Sequence, residues 1–225
     1  MSSLQAFGDI HGRNNWKFLI DEQFDHIVFV GDYFDSPVHS AQEQIDNFLE
    51  IIEWKKRYPN KVHLMFGNHE YHYMRYTDDL YSGWQEDAEA EIQPLLEENM
   101  KYLQPSFTLG NIIFSHAGIT RSFAKRTNLN VRHIDKSLQL LFDRDRSTLG
   151  LYNNSISGDS VEQSPIWVRP PYLLKDKLSG YYQVVGHTKQ EMIQLQDGCA
   201  FIDVAGLPLE ADNIERFDWE QPYSF

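Results

Sequence analysis

One cysteine, Cys199, stands in the whole chain, so no disulfide can close within it, and the usage suits a reducing compartment such as the cytoplasm. No apolar run is long enough to span a bilayer. The chain passes into a strand-like segment almost at once, so neither a signal peptide nor a membrane association is expected. Positive charge is scarce as well. Lys and Arg number 20 against 33 Asp and Glu, a formal charge of −13, without the basic footprint of general nucleic-acid binding. Internal repeats and low-complexity tracts are absent. What remains is 225 residues of 41% hydrophobic content, enough for one sizeable core, and a single domain over residues 1–225 is expected.

What the chain does have is five short segments rich in Asp, His and Asn. They are Gly8-Asp9-Ile10-His11-Gly12, Gly31-Asp32-Tyr33-Phe34-Asp35, Gly67-Asn68-His69-Glu70, Ser115-His116-Ala117-Gly118 and Gly186-His187-Thr188. Each follows an apolar run such as His26-Ile27-Val28-Phe29-Val30 or Asn111-Ile112-Ile113-Phe114. Runs of that length rich in Val, Ile and Phe read as buried strands. Ligands in sheet-based α/β folds gather where strands end, so these residues can converge along one sheet edge. Asp9, His11, Asp32, Asn68, His116 and His187 together offer enough oxygen and imidazole nitrogen for two divalent ions. Carboxylate and amide oxygens mixed with imidazoles suit manganese, iron or zinc, and a carboxylate can bridge ions roughly 3.5 Å apart.

The five motifs, in this order, resemble those of the calcineurin-like metallophosphoesterases. They are most similar to the phosphoprotein phosphatase branch, which includes bacterial and phage Ser/Thr phosphatases and symmetrical diadenosine tetraphosphate hydrolases. The resemblance covers about residues 6–205. It implies an α/β fold, a four-layer αββα sandwich of two mixed sheets flanked by helices. It also implies two divalent metal ions, manganese foremost with iron or zinc as substitutes. Asp9 and His11 would hold the first, Asp32 would bridge, and Asn68, His116 and His187 would hold the second. His69 would be the general acid, oriented by Asp35, and Arg169 would bind phosphate. The implied reaction is hydrolysis of a phosphomonoester by direct attack of water. The acidic composition does not oppose a phosphorylated protein or nucleotide as substrate, because bound ions dominate the local field.

Two positions depart from that pattern. Branch members commonly carry Arg where this chain has Ser36, so one bidentate phosphate contact is missing or comes from elsewhere; Arg144 and Arg146 are candidates. Lys189 occupies a position where many other metallophosphoesterases have a further His. Two stretches stand outside the motifs, an aromatic and acidic helical insert around residues 71–104 and a loop-rich one around 143–171. The aromatics from Tyr71 to Trp84 either stack on a substrate ring or pack the insert onto the core. Helices are expected over residues 15–23, over 40–57, and over 85–100 with an interruption near Pro94. His72 reads as an ordinary histidine, and Asp203 as a turn residue or a support for the site. Two other functions stay open: hydrolysis of a dinucleotide polyphosphate or nucleotide, and a non-catalytic interaction module on the same fold.

Overall fold

Period-two alternation in the apolar runs decides the layering. On β2 (His26–Phe29), Ile27 and Phe29 face one way and Val28 the other, and all three are fully buried. Such a strand needs cover on both faces. The computed structural model, which describes residues 2–77 and 81–215, supplies it. Ile27 and Phe29 join a core with Trp16, Phe48, Ile52 and Leu64. Val28 joins Ala6, Phe114, Val184 and Ala200.

In chain order the elements are β1 (Leu4–Phe7), α1 (Trp16–Leu19), β2, α2 (Ala41–Arg57), β3 (Val62–Met65), α3 (Asn68–Tyr73), α4 (Glu86–Asn99), β4 (Leu103–Gln104), β5 (Phe107–Leu109) and β6 (Ile112–Phe114). Then follow α5 (Arg121–Arg126), α6 (Ile134–Arg144), α7 (Pro170–Asp176), β7 (Tyr182–Val185), β8 (Gln194–Gln196), β9 (Cys199–Phe201) and β10 (Leu209–Ala211). One sheet runs β10-β1-β2-β3-β4 and the other β5-β6-β7-β9-β8. Strands β1 to β4 are parallel and β10 is antiparallel to β1. In the second sheet β6, β7 and β9 are parallel, with antiparallel β5 and β8 at the edges. A third cluster, in which Val185 and Phe201 meet Leu173 of α7, covers the outer face of that sheet. The result is the expected sandwich of two mixed sheets between helices.

Helix α2 shows how local sequence sets an element. Ser40 caps it, its hydroxyl accepting from Glu43 N while the Glu43 carboxylate accepts from Ser40 N at 2.7 Å. Ile45, Phe48, Ile51 and Ile52 recur at helical spacing and are buried. Full burial of Phe48 alone stabilises the fold by about 1.5–3 kcal/mol. Two helices differ from expectation. Helix α1 is one turn long, because Ile20 is extended and Asp21 N bonds to Gln5 Oε1 at 3.0 Å instead of closing another turn. Helix α4 runs unbroken through Pro94, whose position on the exposed face leaves its ring in solvent while Ile92 and Leu96 anchor the buried one. Among the described residues no helix is long and apolar enough to cross a membrane.

Candidate metal centre

The ends of β1, β2, β3, β6 and β7 deliver the five motifs to one place. The chain must turn there with side chains aimed across the sheet ends, and the backbone shows the cost. His11, Asp32, Asp35 and His187 all have positive φ, between 42° and 66°. Non-glycine residues hold such conformations at about 1–3 kcal/mol each, and they cluster at functional sites. The close packing also explains Gly186. A Cβ there would lie 2.1 Å from Asp9 Oδ1.

Asp32 is the hub. Its Oδ2 lies 3.3 Å from His116 Nε2, 3.8 Å from His11 Nε2 and 3.9 Å from His69 Nε2, and its Oδ1 accepts from His69 N at 3.1 Å. Asp9 Oδ2 is 3.9 Å from His11 Nε2, and Asp9 Oδ1 accepts from His187 N at 2.8 Å. Asp9, Asp32, Asn68 and His116 are all buried.

The imidazoles are fixed by their outer nitrogens. Nδ1 of His11 bonds to Phe34 O at 2.6 Å, Nδ1 of His116 to Val30 O at 2.9 Å, and Nε2 of His187 to Trp167 O at 3.0 Å. A carbonyl only accepts, so each of these nitrogens carries a proton, and in the neutral ring the other nitrogen presents a lone pair. Those of His116 and His187 face each other at 3.2 Å, and each is 2.9 Å from Asn68 Oδ1. With His116 neutral, three electron-rich atoms at that spacing would repel unless a cation sat among them, and the donor set fits a divalent ion. The groups Asp32, His116 and His187, and His11, Asp32 and His69, each bring ligand atoms within 4.8 Å of one another.

The electrostatics carry the same signature. Burial would lower the pKa of His116, but Asp32 pushes it up to about 9, so a proton takes up part of the repulsion. Burial holds His187 well below its usual value, and the neighbouring His116 adds to the effect. Burial and the charge of Asp32 lift Asp9 to about 6. Asp32 itself stays well below the carboxylate range, since His116 and His69 outweigh its burial.

His69 Nδ1 meets Asp35 Oδ2 at 2.6 Å. Against its burial, Asp32 and Asp35 raise His69 to about 9. A cavity of about 370 Å³ opens over the cluster; Asp9, His11, Asp32, Asn68, His69 and His187 line its floor, and Tyr81, Ile156, Trp167, Arg169, Lys189 and Asp203 line its walls. The Arg169 guanidinium is held by Ser157 O, His187 O and Thr188 Oγ1 at 2.7–3.1 Å, all neutral groups.

Other candidates lie elsewhere. Ser36 is buried beneath the turn into α2, accepting from Val38 N and His39 N. Arg146 reaches the Tyr76 hydroxyl and lies over the Phe142 ring, and Arg144 is exposed. Neither lines the cavity. Of the aromatic stretch, Tyr71 and Tyr73 are core residues, and Tyr81 is the one that lines the cavity. Glu70 was not anticipated from the sequence. Fully buried, it accepts from Asp32 N at 3.0 Å, Tyr33 N at 2.7 Å and Gly67 N at 2.9 Å, and so ties two motif loops together. Its place as third residue of a helix behind Gly67 was the available signal.

The sequence model of the calcineurin-like phosphoesterase family matches residues 5–193. The Shewanella-like protein phosphatase 1 of Plasmodium berghei (strain Anka) is 26% identical over 233 residues, 86% of this chain and 63% of that relative. Serine/threonine-protein phosphatase 7 of Arabidopsis thaliana is 34% identical over 79 residues, 32% of this chain and 18% of the relative. The chain thus spans less than two thirds of either relative. The cold-active protein-tyrosine phosphatase of a psychrophilic Shewanella shares the fold with a TM-score of 0.58 at 19% identity, over 91% of this chain and 71% of that one. A protein serine/threonine phosphatase of Saccharomyces cerevisiae does so with a TM-score of 0.58 at 16% identity, over 89% and 66%.

Proposed function

The chain belongs to the calcineurin-like phosphoesterases, and from that premise we propose that it is a phosphomonoesterase of the Ser/Thr protein-phosphatase type working with two divalent ions. The observation that carries the reading is the convergence of His116 Nε2, His187 Nδ1 and Asn68 Oδ1 within 2.9–3.2 Å beside Asp32. Asp9, His11 and Asp32 would hold one ion, and Asp32, Asn68, His116 and His187 the other. Manganese is the first choice, with iron or zinc as substitutes. Bound there, the ions would neutralise phosphoryl charge and lower the pKa of water.

The chain's own groups do the rest. Arg169, whose hydrogen-bond partners among the described residues are neutral groups, supplies positive charge to the phosphoryl oxygens. His69 points Nε2 at the cavity while Asp35 holds Nδ1, so its proton is delivered from one defined direction to the departing oxygen. The raised pKa of His69 keeps that proton in place at neutral pH. Neutralising Asp32 with cations would bring it down toward the working pH, where a general acid is most effective. The protein-phosphatase names of the P. berghei and A. thaliana relatives favour a phosphorylated protein as substrate, and the one cysteine fits a cytoplasmic setting.

A dinucleotide polyphosphate or nucleotide is the second reading, favoured by Tyr81 and Trp167 on the cavity wall and by Ser36 where an Arg is usual. Reconstitution with Mn²⁺ followed by kcat/KM ranking on phosphopeptides, dinucleotide polyphosphates and mononucleotides tests both. Phosphopeptides should rank first. Silence on every substrate would overturn the enzymatic reading and leave a binding module.

A further inference from the structure

His69 is not the sole partner of Asp35. The same Oδ2 that meets His69 Nδ1 lies 2.7 Å from His72 Nε2, and Oδ1 accepts the Tyr73 hydroxyl. His72 is fully buried. It stands three residues beyond His69 on α3, on the same helical face, and the two rings meet edge to face at 5.6 Å.

The tautomer of His72 follows from its other nitrogen. Tyr81 N donates to Nδ1 at 3.3 Å, so Nδ1 accepts and the neutral ring carries its proton on Nε2, toward Asp35. That approach is off the N–H axis, so the contact is a close electrostatic one, and among the described residues Nε2 has no well-aligned hydrogen-bond partner. Leaving such a group buried without a counterpart costs about 1–3 kcal/mol, so the Asp35 carboxylate is what justifies a histidine here. Burial would raise the pKa of Asp35, but hydrogen bonding with His69 and His72 holds it below the usual value.

The far side of His72 leads to the cavity. The Tyr81 ring lies parallel to it with centroids 5.3 Å apart, and Trp167 stands against Tyr81 at 4.3 Å. Gly83, with φ at 91°, lets this segment close over the carboxylate; a Cβ there would be 3.1 Å from Asp35 Cβ. Gln85 N completes the enclosure by donating to the Tyr73 hydroxyl at 3.1 Å.

We propose that His72 is a positioning residue: it holds the Asp35 carboxylate turned toward His69 and ties it to the Tyr81 wall on which the substrate rests. The proposal rests on the reading of His69 as general acid. Its mark is an effect that depends on the leaving group, since only the acid feels it.

Two conservative variants separate the two contacts. His72→Gln keeps a donor near the position of Nε2, facing Asp35. His72→Asn keeps an acceptor near Nδ1 for Tyr81 N and loses the reach to Asp35. Both are reconstituted with Mn²⁺ and assayed on a phosphoserine peptide and on p-nitrophenyl phosphate, with bound metal counted. His72→Asn should lose ~10-fold in kcat on the peptide, the scale on which an outer hydrogen-bond partner acts. It should change little on p-nitrophenyl phosphate, and His72→Gln should recover most of the loss. The proton NMR resonance of His69 Nδ1–H, expected far downfield in the parent because of the 2.6 Å contact with Asp35, should move upfield in His72→Asn even in metal-free protein. Equal loss on both substrates, loss of metal, or an unmoved resonance would overturn the proposal. A His69→Asn enzyme without leaving-group dependence would instead bring down the acid reading beneath it. If His72→Asn does not fold, His72→Gln decides alone: parent-like leaving-group dependence and resonance support the proposal, and loss of either overturns it.

Discussion

Nε2 of His116 faces Nδ1 of His187 across 3.2 Å, each ring locked from behind by a main-chain carbonyl. Neither ring can turn its inner nitrogen away without breaking a buried hydrogen bond. Without metal the His116 proton relieves the repulsion between these groups, and a divalent cation that displaces this proton engages all of them at once. Chelation should lower Tm, and Mn²⁺ at a hundredfold excess over its Kd should restore about 2.7 kcal/mol, or roughly 5–10 °C for a domain of this size. Calorimetry with and without chelator measures it, and His187→Ala should lower the bound metal from two equivalents toward one. A Tm indifferent to metal would remove the basis for the dinuclear centre.

Asp32 Oδ2 stands within 3.3–3.9 Å of three imidazoles. Asp32→Asn keeps the shape and removes the charge that the proposed bridge needs. Turnover should fall to near background, with at most one metal retained by elemental analysis. Wild-type turnover with two metals would show that the ligand roles are misassigned.

Much of this centre was legible because it hangs on strand ends. Buried strands announce themselves as apolar runs, and the polar residues after Phe7, Val30, Phe66, Phe114 and Val185 had to emerge on one edge of the sandwich. The supporting residues were harder to see. Glu70 reads as an ordinary helix-start acid until Asp32 N and Tyr33 N are found on its carboxylate. His72 reads as one more histidine until the segment from Tyr81 to Gln85 is found closing over Asp35. Both act through contacts more than 30 residues away in sequence, and no local pattern encodes those. The same holds for β10, whose pairing with β1 joins the two ends of the described chain. Pro94 misled for a different reason: its propensity is intrinsic, while the packing of α4 is not.

Glu70 gives the third prediction. Its carboxylate satisfies three buried N–H groups, each of which costs about 1–3 kcal/mol when orphaned. Glu70→Ala should be among the most destabilising substitutions in the chain and should weaken metal binding although Glu70 is no proposed ligand. Urea unfolding and a metal titration give the two readouts. A loss of stability below ~1 kcal/mol would mean that the loop over Asp32 is held by other contacts.

A fourth prediction lies away from the metal motifs. The His63 ring stacks on Phe107 at 3.5 Å, and its Nε2 is 3.3 Å from His26 Nδ1. Burial, then Lys55 and His26, lower its pKa to about 3. The unfolded value lies near 6.5, so the unfolded chain binds this proton first. The sign follows: the contribution of His63 is intact above pH 6.5 and is lost as pH falls from there toward 3. His63→Phe should flatten the acid limb of the stability curve over that window while leaving the alkaline limb alone. Denaturant midpoints across pH for parent and variant measure it, and superimposable acid limbs would refute it.

The last prediction separates proton delivery from metal binding. His69 follows Asn68 at the start of α3, yet the two side chains part. Asn68 Oδ1 turns to His116 and His187, while His69 gives Nδ1 to Asp35 and turns Nε2 to the cavity. A general acid contributes ~10²–10⁴-fold. His69→Asn should lower kcat by about that factor on an alkyl phosphate such as a phosphoserine peptide, with both metals still bound. On p-nitrophenyl phosphate the loss should be far smaller, because that leaving group departs without a proton. Asp35→Asn should show the same pattern in weaker form, since it removes the anchor and not the acid. Equal losses on the two substrates would count against proton donation. Loss of a metal in His69→Asn would instead make His69 a ligand, and its 3.9 Å separation from Asp32 Oδ2 would then be the relevant contact.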